Sequence, residues 1–155
     1  MRGKKATKRI IDPDEKYNSS LVTKFINYVM FSGRKTTARV IVYKTIEDLA
    51  AKTKIDGIEA LEKAIENVKP KLEVRSRRVG GANFQVPVPV PQERQVALAF
   101  RWIIDAARSG RKNIEFWESL AREVLSAYKK EGGAIKKKDE VHRMAEANKA
   151  FAQFA

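Results

Sequence analysis

Residues 74–87 read VRSRRVGGANFQVP, and this stretch decides the fold because alternation, a glycine pair, clustered arginines and prolines of one parity coincide in it. Before the glycines, Leu72, Val74 and Ser76 share one strand face and Glu73, Arg75 and Arg77 the other. After them Phe84, Val86, Val88 and Val90 continue the apolar set. Gly80 and Gly81 can take the positive φ of a tight hairpin turn, while Ala82 and Asn83 leave its length open. Pro87 and Pro89 have the same parity, so both missing amide donors fall on one edge. Residues 71–91 therefore read as a two-stranded β-hairpin with a free outer edge. Such a ribbon is only marginally stable alone and needs helices or a partner over one face. Arg75, Arg77 and Arg78 bring guanidiniums, which suit bidentate phosphate contact and base stacking. The plainer alternative is a hairpin with a solvated charged face.

Working outward, the periodicity turns helical on both sides. Residues 1–18 read as a flexible basic arm: Arg2, Lys4, Lys5, Lys8 and Arg9 occur within ten residues with no acid and no apolar period. A helix starts near Ser19 or Ser20 and carries Leu21, Val22, Phe25, Ile26, Val29 and Met30 on one stripe, and Ser32-Gly33 ends it. The loop Ser32-Gly33-Arg34-Lys35-Thr36 superficially resembles the end of a nucleotide-binding phosphate loop. Arg34 separates the glycine from the lysine and the upstream glycine is missing, so an NTPase site is rejected. A second helix runs through Val40, Ile41, Ile46 and Leu49, and a third opens at Asp56 with Glu59 as a capping pair and closes before Pro70.

Beyond the hairpin, a fourth helix from about Gln92 to Arg108 packs through Val96, Phe100, Ile103, Ile104 and Ala107. Arg94, Arg101 and Arg108 recur every seven residues on its other side, beside Leu98 and Trp102. Trp102 can stack on a base there, or pack against a neighbouring element as large aromatics usually do. The short basic loop with Arg111 and Lys112 leads to a fifth helix, whose buried face is Trp117, Leu120, Ala121, Val124, Leu125 and Tyr128. Gly132-Gly133 opens a sixth, with Val141, Met144, Ala145 and Asn148 inward and the basic Lys136, Lys137, Lys138 and Arg143 left for solvent or phosphate. The fold class is thus mainly α: a single domain over residues 19–155, of about six helices, with the hairpin between the third and fourth.

Composition fits a polyanion partner. The chain has 32 Lys plus Arg against 19 Asp plus Glu, a formal charge of +13 on 155 residues. Its length allows burial of roughly two thirds of the unfolded surface, and 43% hydrophobic residues suffice for a core. The absence of cysteine excludes disulfides, thiol nucleophiles and thiolate zinc sites. No apolar run approaches membrane-spanning length and no hydrophobic region follows the basic N-terminus, which points to a cytoplasmic location without a membrane partner. The single histidine, His142, has no carboxylate or nucleophile placed by any motif and reads as a helix-surface side chain. No catalytic residue, metal site or cofactor is expected. The basic residues spread over arm, loops, hairpin and two helices, which implies a broad footprint; with about six to ten phosphates contacted, log affinity falls with log salt by about 0.7–0.9 per phosphate. Two rivals follow from charge and helices alone. A DNA-binding regulator would show sequence-specific duplex binding, and a protein-interaction scaffold would show little salt dependence with any RNA.

Three motifs also carry a resemblance. VRSRRVGGANFQVP, the basic loop Gly33-Arg34-Lys35 and GGAIKKKDEVHRMAEANKAF resemble the bacterial small-subunit ribosomal protein seven family across essentially the whole chain. The resemblance implies six helices with an extended hairpin between the third and fourth. It implies a primary rRNA-binding protein that nucleates the head of the small subunit on the 3′ major domain of 16S rRNA, and no catalysis. Arg75, Arg77 and Arg78 would then look toward exit-site tRNA and mRNA, while the arm, Arg34, Lys35 and Lys136 to Lys138 would hold an rRNA junction. Small-subunit ribosomal protein eleven is the implied protein partner, and some relatives bind their own operon mRNA. Two departures stand out. Arg34 occupies a position where the family commonly has Lys, which keeps phosphate binding. The chain ends Phe151-Ala152-Gln153-Phe154-Ala155 where many members have an aromatic-basic tail, so messenger contact is not carried over to this terminus.

Overall fold

A computed structural model describes residues 3, 7 and 9–154. The helices are α1 (Ser20–Val29), α2 (Lys35–Thr53), α3 (Gly57–Val68), α4 (Gln92–Ser109), α5 (Phe116–Tyr128) and α6 (Gly133–Ala147), with strands β1 (Leu72–Val79) and β2 (Ala82–Pro89) between α3 and α4. Local chemistry sets several ends. The Ser19 hydroxyl accepts from the Val22 N–H and the Asp56 carboxylate from the Ile58 N–H, each satisfying an orphan donor of a first turn. Lys69 is extended, at φ −53° and ψ 123°, as the residue before Pro70 must be. A short 3₁₀ segment, Lys149–Phe154, follows α6 and was not expected from the sequence.

The apolar stripes of the helices close one core. Val22, Phe25, Val42, Leu49, Leu61, Phe100, Ile103 and Leu120 are fully buried within it. Phe100 sits 5.1 Å from Phe25 and 5.3 Å from Tyr28, in the tilted geometry aromatic rings favour. Trp102 is half-buried against this core. One apolar residue of the second helix lies off its inner stripe, and one inward assignment on the sixth is corrected. Val40 is 53% exposed because Ala38, Val42, Thr45, Ile46 and Leu49 form the inner stripe of α2, and Val40 lies about 200° round the helix from Val42. Met144 is 41% exposed, since α6 turns Ala134, Ile135 and Ala145 inward instead.

Polar bonds lock the helices together. Asn67 donates to the Ala127 and Tyr128 carbonyls at 3.0 and 3.1 Å, tying α3 to the end of α5. The buried Ser119 hydroxyl donates to the Ala107 carbonyl at 2.6 Å. Ahead of α1, buried Asp14 accepts from the Tyr43 hydroxyl at 2.9 Å and from the Lys16 and Tyr17 amides, which anchors the entering chain to α2.

The hairpin departs from expectation in its faces. Its antiparallel register pairs Leu72 with Pro89, Glu73 with Val88, Arg75 with Val86, Arg77 with Phe84 and Val79 with Ala82, so the turn is the two residues Gly80-Gly81, at φ +56° and +92°. Directly opposed residues point to the same side. A two-residue turn pairs odd with even positions, and the apolar Phe84, Val86 and Val88 therefore share the face of Glu73, Arg75 and Arg77 rather than that of Leu72 and Val74. The free-edge reading of the prolines holds. The Val90 N–H donates to the Lys71 carbonyl at 3.1 Å, which places Pro87 and Pro89 in the alternate, outward-pointing pairs of a two-stranded sheet.

Candidate nucleic-acid interface

The base of the hairpin is built from charge. The Glu73 side chain is only 9% exposed, and its carboxylate takes Arg75 at 2.5 Å and Arg94, from α4, at 2.7 Å. Burial pushes the Glu73 carboxyl up, but the hydrogen bonds from Arg94 and Arg75 outweigh it and hold the group below its ordinary range. On the other element beside the hairpin, His142 is half-buried on α6 and its Nε2 accepts the Lys71 N–H at 3.0 Å. It is therefore a joint between α6 and the hairpin, not a helix-surface side chain. Burial and the neighbouring Lys138 and Lys71 lower its pKa against the opposing pull of Asp139, which keeps the imidazole neutral and able to accept. Phe84 packs on Phe151 at 5.1 Å, covering that face of β2 with the 3₁₀ segment. Nearer the turn, Arg77 and Arg78 are exposed and lie on opposite faces of β1.

The other basic residues divide by whether the fold uses them. Arg101 lies 6.0 Å over the Tyr28 ring, Lys137 pairs with Glu140 at 2.8 Å, and Lys138 donates to the Asn67 carbonyl at 2.8 Å. Arg94, Arg101 and Arg108 thus form a stripe by spacing, but each meets a different environment. Among the described residues, the side chains of Arg9, Arg34, Lys35, Arg78, Arg108, Lys112, Lys136 and Arg143 take part in no ion pair. Arg2, Lys4, Lys5 and Lys8 lie outside the described residues. Arg34, Arg108 and Arg111 converge on one cleft that also exposes Phe31, an aromatic the sequence reading passed over. Its one signal was position: a Phe outside the α1 stripe, beside a glycine turn.

No helix of the described residues is long and apolar enough to cross a membrane, and no group of three or more His, Asp or Glu among them could hold a metal ion. The geometry places exposed cations at the hairpin tip, at two helix connections and on α6. The family model described as "Ribosomal protein S7p/S5e" matches residues 1–149. The chain is 56% identical over 154 residues to "Small ribosomal subunit protein uS7" of Nautilia profundicola, covering 99% of both chains. It is 52% identical over 154 residues to the protein of that name from Fervidobacterium nodosum, with 99% of both covered, and 57% identical over 148 residues to that of Dictyoglomus thermophilum, covering 96% of this chain and 94% of the relative.

Proposed function

Because the chain belongs to the ribosomal protein S7p/S5e family, and so is a structural, non-enzymatic constituent of the small ribosomal subunit, we propose that it is a primary 16S rRNA-binding protein that nucleates the head on the 3′ major domain. The observation that carries this reading is the distribution of unpaired cations. Arg34 and Lys35 at the start of α2, Arg78 on β1, Arg108 on α4, Lys112 in the connection to α5, and Lys136 and Arg143 on α6 are spread over several elements rather than along one helix. That distribution suits backbone contacts over a shaped RNA, whereas groove reading by one helix concentrates them. The part of the arm ahead of the Asp14 anchor neutralises phosphates through Arg2, Lys4, Lys5, Lys8 and Arg9. The hairpin tip, through Arg77 and Arg78, reaches exit-site tRNA and mRNA. Small-subunit ribosomal protein eleven is the proposed protein neighbour, and the operon mRNA a second RNA ligand.

Binding to a 3′ major-domain rRNA fragment across a salt series, with unrelated structured RNA and duplex DNA as competitors, tests the proposal. Binding that resists both competitors at moderate salt is the expected result, because shape-specific contacts outlast counterion release. Equal displacement by all three polyanions reduces the protein to a generic cation. Deleting residues 1–10 lowers the affinity with the helical circular dichroism unchanged if the arm works as proposed; unaltered affinity removes it from the interface.

A further inference from the structure

The C-terminal 3₁₀ segment, to which no ligand falls, lies against the hairpin. At the end of α6 the Asn148 N–H and its side-chain Nδ2 both donate to the Met144 carbonyl, at 3.2 and 2.8 Å, and the Phe151 N–H then donates to the Asn148 carbonyl at 2.9 Å. The spacing thus tightens from four residues to three, which turns the chain off the axis of α6 and onto β2. Of residues 149–153, Phe151 is half-buried while Lys149, Ala150, Ala152 and Gln153 are exposed. The Phe151 ring meets Phe84 with 53° between the planes. The segment is therefore fastened to the ribbon chiefly by one ring.

What that ring does depends on where it touches. The polar joints of the hairpin with α4 and α6 lie at its root, Arg94 on Glu73 and His142 on the Lys71 amide. From Val90, bonded to Lys71 at the root, to Gly81 in the turn the chain runs about 30 Å at the strand rise per residue. From Phe84 to Gly81 it runs only about 10 Å. Residues 78–83, beyond the aromatic contact, are exposed. A two-stranded ribbon has no third strand to stiffen it. For the same angular play, a pivot at the root carries the tip through about three times the arc of a pivot at Phe84. Phe84 also stands directly opposite Arg77 and shares its face, so the contact acts at the level of the arginines near the tip. We propose that Phe151 is a positioning residue: the C-terminal segment straps the ribbon at Phe84 and so fixes where Arg77 and Arg78 stand relative to the helical body. Its use rests on the reading of the hairpin tip as an RNA-contacting element, and it adds what aims that tip.

The chain has no cysteine, so spin labels can be placed on the full-length protein through Ala82→Cys near the turn and Glu62→Cys on α3, both exposed positions. Double electron–electron resonance should give one narrow distance distribution. An aromatic pair shifts an equilibrium by about two- to tenfold, so Phe151→Ala should raise the share of displaced distances by that factor, with the helical circular dichroism unchanged. Phe151→Tyr should keep the distribution narrow, and Phe84→Ala added to Phe151→Ala should broaden it no further. In the complex with the 3′ major-domain fragment, iron–EDTA tethered through Ala82→Cys should cut a compact set of nucleotides, and a dispersed set once Phe151→Ala is added. Equal distributions with and without Phe151, a broad one in its presence, or further broadening by Phe84→Ala overturns the strap whatever the RNA does. An identical compact cleavage pattern in the two proteins overturns the aiming role. Distances that behave as expected, together with equal displacement of the rRNA by unrelated polyanions, sink the rRNA reading and keep the strap.

Discussion

Inside the helical body the fully buried side chains are Phe25, Phe100, Leu61, Leu120 and their apolar neighbours, whereas at the root of the hairpin a nearly buried side chain is the carboxylate of Glu73. The body is held by apolar area removed from water, which is insensitive to pH and spread over many contacts. The hairpin is held in part by a few directional polar joints: Arg75 and Arg94 on Glu73, and His142 on the Lys71 amide. Apolar help comes from Val86, Val90 and the Phe84–Phe151 contact. The difference teaches that one small domain contains two kinds of stability, and that the hairpin can be loosened without melting the helices.

The largest blow to the body is Phe100→Ala. It should cost about 3–5 kcal/mol, since a fully buried ring in contact with Phe25 and Tyr28 leaves a cavity. For a chain of this size that lowers the melting temperature by roughly 6–20 °C, read by thermal circular dichroism. A loss below 1 kcal/mol would mean the body is not held by its core.

Glu73→Ala comes next, at about 1–3 kcal/mol. Hydrogen exchange should quicken at the hairpin base and stay unchanged in α1 to α5; uniform acceleration would merge the two regions. The pH dependence has a definite sign. Glu73 titrates below its ordinary 4.5 when folded, so the unfolded chain binds more protons there, and the stabilisation is present above about pH 4.5 and lost as pH falls through the folded value.

The smallest effect belongs to His142. Its folded pKa lies below the ordinary 6.5, so its contribution is complete above pH 6.5 and declines as pH drops beneath it, when the imidazolium can no longer accept the Lys71 N–H. His142→Ala should cost about 1 kcal/mol and remove that slope below pH 6.5 in denaturant melts. A variant that keeps the slope assigns it to another group.

Much of the architecture was legible because its signals are local. Ser19 and Asp56 cap the helices they precede in sequence, Pro70 ends α3, and Pro87 with Pro89 mark the open edge of β2. The faces of the hairpin were not legible, since a one-residue uncertainty in turn length exchanges them, and the two-residue Gly80-Gly81 turn put Phe84 beside Arg77. Val40 and Met144 show the same weakness on helices. Each is apolar and near a stripe, and only the packed neighbours reveal which side is inward.

The arrangement of six helices around an inserted hairpin, and a +13 charge demanding an anionic partner, follow from the order of residues alone, because period, caps, prolines and net charge act over a few positions or over none. Which cations remain for that partner was decided by tertiary structure. Arg94 meets Glu73 across 21 residues of chain, Lys138 meets Asn67 across 71, and Arg34, Arg108 and Arg111 meet only where four helix ends converge. No periodicity encodes such meetings, since each depends on the angle at which separate elements pack, so a list of basic residues becomes an interface only after the fold has taken its share.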